Sequence, residues 1–167
     1  MSLGQHLVEL RKRLTRAGAA ILVAAVGGWF LVDIVWAELS RPVLEFAERA
    51  DREAAISYTT VTEAFDTRLL ITLTLGVVIA SPFWLYQLWA FIVPALHSKE
   101  KRYAIGFLGA AVPLFLAGCA TGWLILPNIV SLLTGFAPED TTTLLTARVY
   151  LDFSRKLIIA IGIGFVL

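Results

Sequence analysis

Two glutamates sit inside basic segments at widely separated places in the chain. Glu9 lies in Leu7-Val8-Glu9-Leu10-Arg11-Lys12-Arg13-Leu14, and Glu100 in His97-Ser98-Lys99-Glu100-Lys101-Arg102. Two carboxylates delivered to one surface would suit a ligand with two cationic groups. The blander chemistry is local. Glu9 can pair with Arg13 one helical turn on, for a few tenths of a kcal/mol, and a glutamate in a basic loop is usually a solvated charge. The choice depends on whether the segments between them bring both glutamates to one face.

Those segments are apolar. The chain is 58% hydrophobic with mean hydropathy +0.78, well above the composition of soluble domains, so an integral membrane protein is expected. Its net charge of +1 gives no field for nucleic acid. Cys119 stands alone, which excludes an internal disulfide and a cysteine metal cluster. No glycine-rich phosphate loop is present. The composition thus points to neither an enzyme nor a cofactor protein, and no metal site is expected.

Spans are expected at approximately 17–37, 65–96, 103–134 and 149–167, in an all-α polytopic bundle forming a single transmembrane domain. Residues 69–96 and 103–138 contain no Asp, Glu, Lys or Arg. The first of these runs is about 42 Å long as a helix and exceeds a hydrocarbon core of about 30 Å, so it must tilt, kink or project. Pro82, Pro94, Pro113 and Pro127 in these two spans favour curved walls. The fourth apolar run begins at Leu157 and is cut at Leu167, so the sequence reads as the front of a longer protein. The apolar stretch after the basic start is too long for a cleaved signal peptide. Lys and Arg are densest at Arg11–Arg16 and Lys99–Arg102, which predicts a cytoplasmic N-terminus and puts Glu9 and Glu100 on the same side.

Ser2 and Gln5 match a capping box. The stripe Leu3, Leu7, Leu10 and Leu14 predicts a short interfacial helix before the first span. On the outer side, Ser40 is expected to cap an amphipathic helix with Pro42 in its first turn. Its apolar face would run from Val43 through Phe46, Ala47 and Ala50 to Ala54. Residues 137–147 read as a second outer loop. Gly118 and Gly122 form a GxxxG, most simply a helix-packing feature. Asp33 is expected to snorkel or pair near the outer end of the first span. Asp152, Arg155 and Lys156 are spaced to pair on one helix face.

Taken together, these segments resemble TatC, the receptor subunit of the twin-arginine protein translocase. The resemblance rests on the His6–Leu14 segment, on Pro42-Val43-Leu44 and Glu63-Ala64-Phe65, and on Pro82, Tyr86–Leu96 and Glu100. It continues through Phe115, Gly118, Trp123 and Pro127, then Tyr150-Leu151-x-Phe153 and Gly162-x-x-Phe165. Trp123 stands where the family usually has tyrosine. Val166 stands where it often has an intramembrane Glu or Gln. The family has six spans.

The resemblance implies an inner (plasma) membrane protein, a core subunit for export of folded proteins. Its ligands are signal peptides bearing consecutive arginines. It also implies single-span TatA-type and TatB-type partners, further TatC copies and surrounding lipid. Arginine offers a planar fork that a carboxylate accepts bidentately, so Glu9 and Glu100 would each take one. Arg11 and Arg102 would hold those carboxylates in place. The apolar part of the peptide would follow a wall near Gln87, Phe91 and Trp123. Pro42, Phe65, Pro82, Pro94, Gly118 and Pro127 would be structural, the first two in the first external loop. Two other readings compete: a truncated non-transporting scaffold, and a membrane redox subunit. The second is disfavoured because His6 and His97 both lie outside the spans.

Overall fold

The computed structural model describes residues 3–49, 54–92, 98–136 and 143–167. Ser2, Pro94 and His97 lie outside them, as do residues 137–142 of the outer loop. Among the described residues the architecture is an α-helical bundle of six helices: α1 (Leu3–Trp29), α2 (Val32–Arg49), α3 (Glu63–Ile79), α4 (Ser81–Ile92), α5 (Ser98–Gly135) and α6 (Ala147–Val166). By length and apolarity α5 can cross a membrane over Ile105–Gly135, and the bent pairs α1–α2 and α3–α4 each pass when taken together.

The first expected boundary moves. There is no separate interfacial helix: α1 runs unbroken from Leu3 through the basic segment into the apolar run. It ends at an elbow of 76°, eight residues before Ala37 would have closed the span. Phe30 and Leu31 tighten that elbow by donating to Gly27 O and Gly28 O at 3.3 and 2.9 Å. Ser40 therefore does not cap a helix. It lies inside α2 and donates to the carbonyls of Trp36 and Ala37 at 2.8 and 3.1 Å. Asp33 occupies the first turn of α2, where its charge suits the positive helix end. It also pairs with Arg68 of α3 at 2.8 Å. The Arg68 guanidinium lies 5.1 Å from the Trp29 ring centroid, so one arginine grips both sides of the elbow.

The second span breaks at Pro82, with a bend of 60° between α3 and α4. Proline cannot donate to the preceding turn, and in lipid the freed carbonyls need other partners. The Trp84 indole N–H supplies one, donating to Val77 O at 2.8 Å. Pro113 and Pro127, by contrast, sit within an uninterrupted α5.

Two helix crossings are close enough to require glycine. A Cβ at Gly76 would stand 2.7 Å from Ile21 O and 2.9 Å from Ala25 Cβ, which fixes α3 against α1. A Cβ at Gly118 would stand 2.8 Å from Gly162 Cα and 2.9 Å from Ile161 O, which fixes α5 against α6. One core cluster includes Val32, Val43, Ile71, Leu126, Val130 and Tyr150, and a second Leu85, Phe115 and Cys119. The Tyr150 hydroxyl donates to Leu39 O, tying α6 to α2 close to the point where Pro42 interrupts the α2 ladder.

The outer connections contain a feature the sequence pattern did not suggest. Ala54–Ser57 (β1) and Thr143–Thr146 (β2) pair as a parallel two-stranded ribbon, with Ala54 opposite Thr143. Ala54 thus belongs to a strand, not to the apolar face of an outer helix. Beside the ribbon, Glu63 is buried at the start of α3, ahead of the uncharged run that begins at Leu69. Its carboxylate accepts from the Thr59 hydroxyl at 2.6 Å, the Thr60 N–H at 3.3 Å, the Arg148 N–H at 3.2 Å and the Thr59 N–H. These donors, Thr59 foremost, hold the carboxyl down to about 2 from its ordinary 4.5.

Two outcomes follow. Gly118→Leu should destabilise the detergent-solubilised protein by about 1–3 kcal/mol or more through forced separation of α5 and α6. Gly109→Leu, where nothing lies within 4 Å, should change thermal unfolding little. The Glu63 interactions stabilise the fold fully above the unfolded-state value near 4.5 and are lost as pH falls towards about 2. The unfolding midpoint should therefore drop across that window in the parent chain. It should drop less in Glu63→Gln, which should already be the less stable protein at pH 7.

Candidate functional site

The arrangement around Glu9 follows from the two constraints just described. The Gly76 contact anchors α1 on α3, and the Pro82 bend then carries α4 towards the charged half of α1. His6, Glu9 and Arg13 are spaced by 3 and 4 and share one face of α1. Gln87 and Phe91 are spaced by 4 and share one face of α4. The two faces meet. The His6 and Phe91 rings lie 4.3 Å apart, tilted by 32°. Arg13 donates from Nη2 and Nε to Glu9 Oε1 at 2.7 and 3.0 Å, and from Nη1 to Gln87 Oε1 at 3.5 Å.

Arg13 therefore holds the Glu9 carboxylate, as the local pairing predicted and where the resemblance had implied Arg11, and it also bridges to α4 through Gln87. Arg11 is exposed, and its carbonyl accepts from Thr15 at 2.8 Å. Gln87 is buried, with 7% of its surface exposed, so its amide oxygen meets the guanidinium away from water. The Glu9 and Arg13 side chains remain about a quarter exposed, at 25% and 23%. They border an open groove of about 620 Å³ that is also lined by Gln5, Val8, Lys12 and Arg16. Around Glu9 the groove carries three cations, which disfavours a further cation unless a specific acceptor geometry offsets the repulsion.

Glu100 lies in the first turn of α5 and Arg102 in the next residues of that helix; their side chains are outside the described residues. The Trp89 ring of α4 lies 4.7 Å from the Phe107 ring of α5. Phe107 is two helical turns beyond Glu100, so the start of α5 and the end of α4 occupy the same end of the bundle. Trp123 is elsewhere. It lines a cavity with Leu39, Leu151 and Arg155 and shares no lining with the Glu9 groove. Phe65 is 60% exposed on α3. Among the described residues no group of His, Cys, Asp and Glu could hold a metal ion.

His6 and Arg13 were missed as site residues. The available signal was the 3–4 spacing around Glu9, but the partner on α4 lies 74 positions away in sequence.

The fold and this charged end define a polytopic helical membrane protein. The family model described as "Sec-independent protein translocase protein (TatC)" matches residues 5–167. The chain belongs to the TatC family. The TatC of Xylanimonas cellulosilytica is 42% identical over 99% of this chain and 60% of the relative, and that of Aquifex aeolicus 34% over 99% and 68%. A crystal structure of the "Twin Arginine Translocase Receptor- TatC" superimposes with a TM-score of 0.82 at 34% identity, over 96% of this chain and 70% of that one. The chain thus spans about 60% of the length of the first of these relatives.

His6→Ala and Phe91→Ala should be non-additive in thermal unfolding, with a coupling of about 0.5–1.5 kcal/mol for a direct ring pair. Additive losses would mean that each ring packs independently.

Proposed function

We propose that this chain acts as a receptor for signal peptides with consecutive arginines, within a complex that exports folded proteins. Glu9 takes one guanidinium and Glu100 the other. The observation that carries this reading is the convergence of α1, α4 and the start of α5 at one end of the bundle, with Glu9 at its groove. Arg13 uses only Oε1 of Glu9, while a carboxylate accepts through both oxygens. An incoming arginine can therefore share Glu9 with Arg13 before displacing it. Arg13 keeps the carboxylate oriented in the meantime, and Gln87 fixes Arg13. Phe91, stacked on His6, starts the apolar surface that the rest of the peptide follows along α4. Trp123 faces another cavity and has no part in this contact.

The same reading places the N-terminus and the 97–102 loop in the cytoplasm of a cell with a single inner or plasma membrane as the export barrier. Single-span TatA-type and TatB-type subunits and further TatC copies complete the assembly. The family membership supports these partners, and the density of Lys and Arg at both segments supports the orientation.

Glu9→Gln and Glu100→Gln keep shape but remove charge. Each should weaken a twin-arginine peptide by about 2 kcal/mol, roughly thirty-fold, if the contact is partly desolvated. A Lys-Lys peptide should bind more weakly to the parent and lose less on Glu100→Gln, because an ammonium offers no fork. Affinity measured in this chain and in a six-span relative with matching substitutions checks both. Unchanged affinity in the six-span protein would overturn the two-glutamate mechanism. Cysteines at Ser2 and Ser98 should resist an impermeant thiol reagent in intact cells, and one at Ala54 should react. Labelling of Ser98 from outside would reverse the orientation.

A further inference from the structure

A second cavity, of about 270 Å³, lies between α2, α3, α5 and α6. Its walls are apolar, from Leu39, Leu75, Leu116, Ala120, Trp123 and Ile158 among others. The hydroxyls on its lining are already used: Thr74 donates to Leu70 O at 2.8 Å and Ser154 to Tyr150 O at 2.9 Å. Arg155 is the exception. It lines the cavity, and its Nε is buried with no hydrogen-bond partner.

The charge around Arg155 is unbalanced. Asp152 pairs with both Arg155 and Lys156, so one carboxylate faces two cations on one helix face. Lys156 is 71% exposed, and a lysine there extends its ammonium towards the headgroup level. An apolar slot thus opens beside a net positive charge in the first half of α6. The volume discriminates between occupants. A helix is about 10 Å across, and 270 Å³ would hold only about two residues of it. A segment of one hydrocarbon chain fits such a slot.

We propose that this cavity seats one acyl chain of an anionic phospholipid, with its phosphate held by the exposed part of the Arg155 guanidinium and by Lys156 Nζ. The lipid would fill the space between four helices and supply the negative charge that Asp152 alone leaves missing. Val166, deeper on the same helix, adds no charge of its own to compete for those cations.

The test is native mass spectrometry of the purified chain, titrated with phosphatidylglycerol and with phosphatidylcholine of the same acyl composition. Each net cation near a headgroup is worth about five-fold in affinity. Phosphatidylglycerol should therefore bind about five-fold more tightly than phosphatidylcholine in the parent. Arg155→Gln should abolish that preference. Lys156→Gln, at an exposed position, carries the same test should Arg155→Gln not fold. Asp152→Asn releases both cations and should raise the preference to about twenty-five-fold. Ala120→Trp should reduce retention of both lipids by filling the slot. Equal binding of the two lipids by the parent overturns the proposal, as does a folded Asp152→Asn with no gain for phosphatidylglycerol. A benzophenone side chain at position 120 that crosslinks to a protein and not to lipid in native membranes assigns the cavity to a partner helix and also overturns it.

Discussion

A backbone carbonyl inside a bilayer has no water to turn to, and the positions of these helices depend on how that demand is met at Pro82. The proline removes a donor just after α3 ends at Ile79. A straight continuation would carry the chain away from α1. The bend is tolerated because Trp84 returns its indole N–H to the Val77 carbonyl and packs edge-on against Phe115 of α5, 5.6 Å between centroids. One side chain thus repairs the break and fixes its direction. Only with that direction set can Gln87 and Phe91 reach Arg13 and His6. The meeting of α1 and α4 around Arg13 is a consequence of how a hydrogen bond is replaced one turn away along α4.

Close helix approach supplies the complementary restraint. Gly76 and Gly118 place backbone against backbone at two crossings, one holding α3 on α1 and the other α5 on α6. The cavity beside Arg155 lies between α2, α3, α5 and α6. Charged pairs inside this frame are few and placed with purpose. Asp33 and Arg68 join α2 to α3 at the elbow. The Asp152 cluster remains within α6. By contrast, Arg41 with Glu38 and Glu45 decorates the exposed face of α2 and contributes a few tenths of a kcal/mol per pair.

The helical class and the pairing of Asp152 with its neighbours were legible because each depends on residues within one turn of one another; the prolines predicted curvature in both long spans, but not that Pro82 alone of the described three would divide its span. The elbow after Trp29 was not read. Ser40-Pro42 imitates a helix start, while the actual signals, Gly27-Gly28 and Asp33, are unremarkable taken singly in an apolar run. Their meaning comes from Arg68, 35 positions on. The same holds for Arg13, whose amide partner Gln87 is remote in sequence, and for Glu63, whose donors include the Arg148 N–H. The ribbon was missed because four residues per strand carry too little periodicity to separate a strand from a threonine-rich loop. Local chemistry gave the elements; the contacts that orient them are long-range.

The β1–β2 pairing has a consequence for the order of assembly. Its partners, Ala54 and Thr143, are separated by α3, α4 and α5, so no part of the ribbon can form until all three helices have been threaded through the bilayer. Loop-closure entropy for so long a segment opposes the contact until then. A nascent chain can insert and pack α1 to α4 while the outer surface remains unzipped. The ribbon and the Glu63 bonds to Arg148 then close together, once the start of α6 has emerged on the same side. The ribbon is in this sense a latch that closes only after α3, α4 and α5 are in place.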